Sequence, residues 1–187
     1  MFLGVTNKIF DALEAEMVKL KEKKYVKMTA YEWARKPPRS IVHEKYFGNK
    51  LNGPNCDNLH KYAGELTQFL PNEMKKFGIA LSSFGKVKKA CFGMVLDDNW
   101  EQVLEEFLND YDALGIGYTP KCHVLAVHVA QFIKATGSSL GKFTEQPFEA
   151  LHADFKKVWR NYKRVRNNKT YPTQLCACVV AYNSNNL

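Results

Sequence analysis

Apolar residues fall three and four positions apart in one segment after another of this chain, and that spacing restricts it to a helical fold. Phe2, Val5, Ile9, Phe10, Leu13, Met17 and Leu20 set the pattern at the N-terminus. Residues so spaced stack on successive turns and form one stripe that must be buried. The spacing predicts a first helix over 3–23, ending in Lys21-Glu22-Lys23-Lys24. A helix that begins this abruptly suggests a piece of a longer chain.

Residues 25–52, with Trp33 and the pair Pro37-Pro38, show no clean period and read as irregular, with a short helix over Thr29 to Lys36. From Gly53 and Pro54 the pattern sharpens into a helix bearing Leu59, Tyr62, Leu66, Phe69 and Leu70, stopped by Pro71. A short connection holding Phe77, Ile79, Leu81 and Phe84 precedes a helix over 84–96, which Gly78, Gly85 and Gly93 weaken. Asp97-Asp98-Asn99 opens the next, with Trp100, Val103, Leu104, Phe107, Tyr111 and Leu114 inward and Glu101, Glu105, Glu106 and Asp110 outward. Gly115 and Gly117 end it.

Thr119 and Pro120 then start a helix apolar enough to be central, carrying Val124, Leu125, His128, Val129, Phe132 and Ile133 as far as Gly137. Two more helices are expected, over 144–166 and from Pro172, the latter burying Leu175, Cys178, Val179 and Tyr182. Alternating strands joined by hairpin turns do not occur, nor does an internal repeat. The expected fold is all-α: a single-domain bundle of about seven helices over residues 1–187.

Composition supports a packed chain. Of 187 residues 45% are hydrophobic and 13% aromatic, enough for one substantial core and unlike a disordered tail. Lys and Arg number 27 against 19 Asp and Glu, a net charge of +8 and a pI near 9.2. That excess favours an acidic partner, nucleic acid or an anionic surface. Seven basic residues lie between Lys156 and Lys169, and smaller clusters occupy Lys86, Lys88 and Lys89 and the run Lys19 to Lys27. The five cysteines, at 56, 91, 122, 176 and 178, form no C-x-x-C pair and read as reduced thiols inside a cell. No signal peptide and no apolar run of membrane-spanning length is recognised, so a nuclear or cytoplasmic location without membrane attachment is expected.

The segment from Thr144 to Arg160 gathers the most chemically capable side chains. As a helix it places Glu145, Glu149 and His152 on one face, beside an apolar stripe of Phe148, Leu151, Phe155, Val158, Trp159 and Tyr162. Its plainest reading is an amphipathic helix capped by Thr144, with Glu145 at the positive end of the dipole. Glu149 and His152 also make an E-x-x-H pair, the ligand unit of two-metal bundles, but such a bundle needs a second pair, and this chain has none. His123 and His128 are five apart, hence on different faces of an α-helix, so a zinc site with Cys122 is weaker still. His128 reads as a core histidine bonded to a carbonyl or carboxylate. Phosphate-cradling, zincin and hydrolase-triad motifs are missing. What remains is the basic run itself: Lys156, Lys157, Arg160, Lys163, Arg164 and Arg166, interleaved with Trp159 and Tyr162, offers phosphate-neutralising charge and rings. The same residues are equally consistent with a solvated face on an ordinary amphipathic helix.

Several phrases in order carry a resemblance: Leu3-Gly4-Val5-Thr6-Asn7; Leu51-Asn52-Gly53-Pro54-Asn55-Cys56 with Leu59; Thr119-Pro120-Lys121-Cys122-His123-Val124-Leu125; Leu140-Gly141-Lys142-Phe143-Thr144-Glu145-Gln146 with Glu149 and His152; and Tyr182-Asn183-Ser184-Asn185. Together they resemble the C-terminal region of transposase-like proteins encoded by DNA transposons of invertebrate genomes. That family implies an RNase H-like core in which two aspartates on strands and a glutamate on a late helix hold two divalent metals. Glu149, or else Glu145, would match the glutamate as a vestige. The strands bearing the aspartates have no counterpart here, and two-metal catalysis needs carboxylates from several elements.

The sequence therefore leads to a non-catalytic nucleic-acid-binding module derived from a transposase-like protein. It is expected to bind DNA ahead of RNA, to carry neither cofactor nor metal, and not to be an enzyme. The alternatives are a protein-interaction module, with a protein partner or a homo-oligomer, and a metal-dependent helical-bundle enzyme.

Overall fold

A computed structural model describes residues 2–143, 157, 173 and 176–181. The fold is all-α, with eight α-helices and no strand among the described residues, and divides into two compact units, Met1–Lys142 and Phe143–Leu187. In the first unit the helices are α1 (Phe2–Glu22), α2 (Ala30–Arg35), α3 (Gly53–Lys61), α4 (Ala63–Phe69), α5 (Lys75–Phe92), α6 (Trp100–Asp112), α7 (Pro120–His123) and α8 (Ala130–Thr136). In the second, the helical stretch 176–181 buries Cys178 but leaves Val179 40% exposed. The apolar face there is narrower than the expected pairing of the two, and Leu175 and Tyr182 lie outside the described residues.

Helix α1 buries Val5, Ile9, Phe10, Leu13 and Met17, the stripe its periodicity demands. The irregular segment after it is held by side chains. Thr29 and Glu32 form a reciprocal capping box on α2. Buried Asn7 donates to the carbonyls of Leu3 and Leu51 while its own carbonyl accepts from the Leu51 amide. Asn55 accepts from the Val42 amide, and the Tyr31 hydroxyl from that of His43. The bonds at Thr29, Val42, His43 and Leu51 satisfy backbone groups that no helix serves.

Three expectations are corrected. The helix foreseen from Gly53 to Leu70 is broken at Tyr62, whose backbone leaves the helical region (φ −96°, ψ 10°) between α3 and α4. The connection foreseen before residue 84 is helical: α5 starts at Lys75, its apolar residues Phe77, Leu81, Phe84 and Val87 all buried on one side. And the centre of the bundle is α5, which packs against α1, α3, α4 and α6, whereas in the segment from Pro120 to Thr136 Val124 and Val127 are exposed.

The glycines that argued against a helix are the reason α5 can sit in the middle. A Cβ on Gly78 would come within 2.3 Å of the Thr67 hydroxyl and 3.0 Å of its Cα; one on Gly85 would come within 3.1 Å of the His60 Cβ. Lacking side chains, these two positions let α4 and α3 approach the axis of α5, and the dispersion contact so gained offsets the poor helix propensity of glycine. Around Phe84 the rings of Phe2, His60 and Phe107 pack at centroid distances of 5.1, 5.7 and 4.6 Å, within the span where aromatic pairs attract.

A lysine-rimmed cleft beside helix 5

The close approach of α3 and α5 leaves a cleft of about 620 Å³ along their outer side. Asp57, His60 and Lys61 line it from α3, and Gly85, Lys86, Lys88, Lys89 and Phe92 from α5. Lys86 and Lys89 are three residues apart and so share a face of α5, with Lys61 opposite on the last turn of α3. Lys88 pairs with Asp57, and Lys86 stands 3.9 Å from Glu106, the loosest of the ion pairs. Among the described residues Lys61 and Lys89 have no carboxylate partner, and Lys61 lies over the Tyr62 ring at 5.3 Å. Among the described residues the rim thus carries a surplus of positive charge, neutralised by Asp57 and, at the edge, Glu106.

His60 lies against the cleft floor. Its Nε2 is 2.9 Å from the Thr6 hydroxyl, its Nδ1 is buried with no hydrogen-bond partner among the described residues, and burial pushes the imidazole down to about 4, opposed by Asp57 and aided by Lys88. Taking a charged ring out of water costs more than the nearby carboxylate returns, so His60 is neutral at pH 7. The thiol of Cys56, one turn earlier on α3, is driven up to about 12 by burial and by Asp57, and that of Cys91 to about 11, chiefly by burial. Both are protonated and therefore poor nucleophiles.

A second cleft, of about 580 Å³, adjoins the first across α5 and shares Ser82 and Lys86 with it. Its character differs. Thr67 and Gln68 of α4 face Asn109, Asp110 and Glu106 of α6, so this half presents amides, hydroxyls and two carboxylates.

The histidines are placed differently from expectation. Residues 124–129 form a π-turn within the continuous helix from Pro120 to Thr136. A π-turn bonds residue i to i+5 and so aligns side chains five apart, which sets the His123 and His128 rings 5.4 Å apart, edge to face. They share a face after all. His128 is exposed and meets the Gln131 side chain at 3.3 Å; the histidines that turn a ring nitrogen inward are His43 and His60, both half-buried. Among the described residues no group of three or more His, Cys, Asp and Glu is arranged to hold a metal.

Of the basic run, Lys157 is helical and exposed; Lys156, Arg160, Lys163, Arg164 and Arg166, with Glu145, Glu149 and His152, lie outside the described residues. The signal for the cleft was nonetheless in the sequence. Gly78 and Gly85 are seven apart, two turns on one face, and Lys86 and Lys89 follow at helical spacing; what no pattern could supply was that His60 and Lys61 would be the residues opposite. Among the described residues no helix is long and apolar enough to cross a membrane. No protein-family model, curated protein or solved structure matches the chain.

Proposed function

We propose that this protein is a non-catalytic, helical nucleic-acid-binding module derived from a transposase-like protein, and that the lysine-rimmed cleft is one of its phosphate contacts. The observation that carries the reading is the surplus of Lys61, Lys86 and Lys89 around a concave site on a chain of net charge +8. These lysines would neutralise phosphates and release the cations condensed on the nucleic acid. The basic run from Lys156 to Arg166 supplies a second contact in the same reading. Binding rather than catalysis is proposed because the carboxylates that would clamp two metal ions must come from several elements, and the strands that bear two of them in the resembled family have no counterpart among the described residues.

The test is the affinity for fluorescent DNA as a function of salt. For duplex DNA each neutralised phosphate steepens log K against log salt by about 0.9, so Lys61→Glu/Lys86→Glu/Lys89→Glu should weaken binding and flatten the slope by about 2 to 3. Lys157→Glu/Arg160→Glu/Lys163→Glu/Arg164→Glu should do the same independently. Binding that ignores salt and both sets of substitutions refutes the reading. A protein-interaction module is favoured instead by one feature, the adjacent Met94 and Val95, 68% and 79% exposed beyond the end of α5. Partners that remain bound after nuclease treatment and are lost in Met94→Asp/Val95→Asp would select it.

A further inference from the structure

Resting on the reading above, we infer that the two adjoining clefts form one bipartite groove for a single nucleotide of an unpaired strand, phosphate on the lysine side and an amino-bearing base on the α6 side. The clefts meet at Ser82 and Lys86, so a ligand can lie across α5 in contact with both. Each has the size of a small-ligand site, and their electrostatics are opposite. Lys61, Lys86 and Lys89 draw an anion to one half; Glu106 and Asp110 repel it from the other. A nucleotide therefore has one favourable orientation.

The acidic half also distinguishes among bases. Glu106 and Asp110 only accept hydrogen bonds when ionised, and among the described residues the Gln68, Asn109 and Asp110 side chains have no hydrogen-bond partner of their own. Glu106 keeps one oxygen on the Gln102 amide and the other 3.9 Å from Lys86. An acceptor-rich wall of this kind suits the exocyclic amino groups of cytosine, adenine and guanine, as a carboxylate suits the cytosine amino group. Thymine and uracil turn a carbonyl to the same place and are repelled. A paired base offers only one amino hydrogen to the major groove and is held in the stack, out of reach of a cleft of about 580 Å³, so the ligand is an unpaired nucleotide, whose base can splay out and offer its whole edge.

The experiment compares fluorescein-labelled dC12 and dT12 at one salt concentration, strands equal in charge and length. Tighter binding of dC12 by about tenfold is expected, the worth of one good base-edge contact, and Glu106→Gln/Asp110→Asn should bring the ratio near one by relieving the repulsion of dT12. Lys61→Glu/Lys86→Glu/Lys89→Glu should weaken both strands alike. Free dCMP is expected to displace labelled dC12 only in large molar excess; displacement at comparable concentration would make the free nucleotide the ligand and overturn the strand assignment. Equal binding of dC12 and dT12, with salt and lysine dependence intact, overturns the groove but leaves nucleic-acid binding standing, whereas no binding of either strand or of duplex DNA removes both. Melting curves of the carboxylate variant must match those of the parent, since both side chains lie on the outer side of α6; a ratio near one in a destabilised variant would be repeated with Asp110→Asn alone, which must then reduce the preference.

Discussion

The histidine under the cleft should make stability depend on pH in a way that one substitution removes. Folded, His60 titrates at about 4; released, it returns to its ordinary 6.5. The unfolded chain therefore binds the proton first, so the stability associated with neutral His60 is complete above pH 6.5, falls as pH drops below it, and levels off once pH passes 4. Integrating between pH 7 and pH 5 gives a loss of about 2 kcal/mol, approaching about 3 kcal/mol at the acid limit. His43, stacked on Tyr31 at 4.1 Å and also lowered by burial, adds a loss of the same sign. The measurement is urea unfolding followed by circular dichroism at both pH values, for the parent and for His60→Gln, which keeps a polar group for Thr6 but cannot titrate. The variant should be less stable at pH 7, and its loss between pH 7 and pH 5 should be smaller than the parent's by about 2 kcal/mol. Equal losses in the two proteins would mean that His60 is as easily protonated folded as unfolded, and the buried placement of its ring would be wrong.

Gly78→Ala should destabilise by about 1–3 kcal/mol despite the better helix propensity of alanine, because its Cβ meets Thr67 at 2.3 Å. Gly64→Ala, whose Cβ meets nothing within 4 Å, should be neutral or stabilising by about 0.5 kcal/mol in the same urea titration; the reverse order would refute the packing of α4 on α5. Thr29→Ala removes one arm of the α2 capping box and should cost about 1 kcal/mol. Of the five thiols, Cys176 is exposed and Cys56, Cys91, Cys122 and Cys178 are buried, so an aromatic disulfide reagent should titrate one group rapidly in the native protein and all five in denaturant. The rapid phase should vanish in Cys176→Ser; a rapid phase that survives would mean that a second thiol opens to solvent.

Much of the fold was legible because helices are written locally. The α1 stripe, the short helix after Thr29, the α6 face with its outward glutamates and the stop at Gly137 (φ 63°) all follow from side chains within a few residues of one another. The basic character of α5 was equally plain in Lys86, Lys88 and Lys89. Tertiary structure decided what depends on a neighbour distant in the chain. Glycines weaken an isolated helix, but Gly78 and Gly85 strengthen this one because Thr67 and His60 fill the space they leave, a gain that exists only once α4 and α3 have docked. The π-turn at 124–129 changed the period from which faces are computed, and so joined His123 to His128 and left His128 in solvent. Local spacing could name the lysines; only the packing of α3 against α5 could place them around a shared cleft, with a neutral histidine beneath.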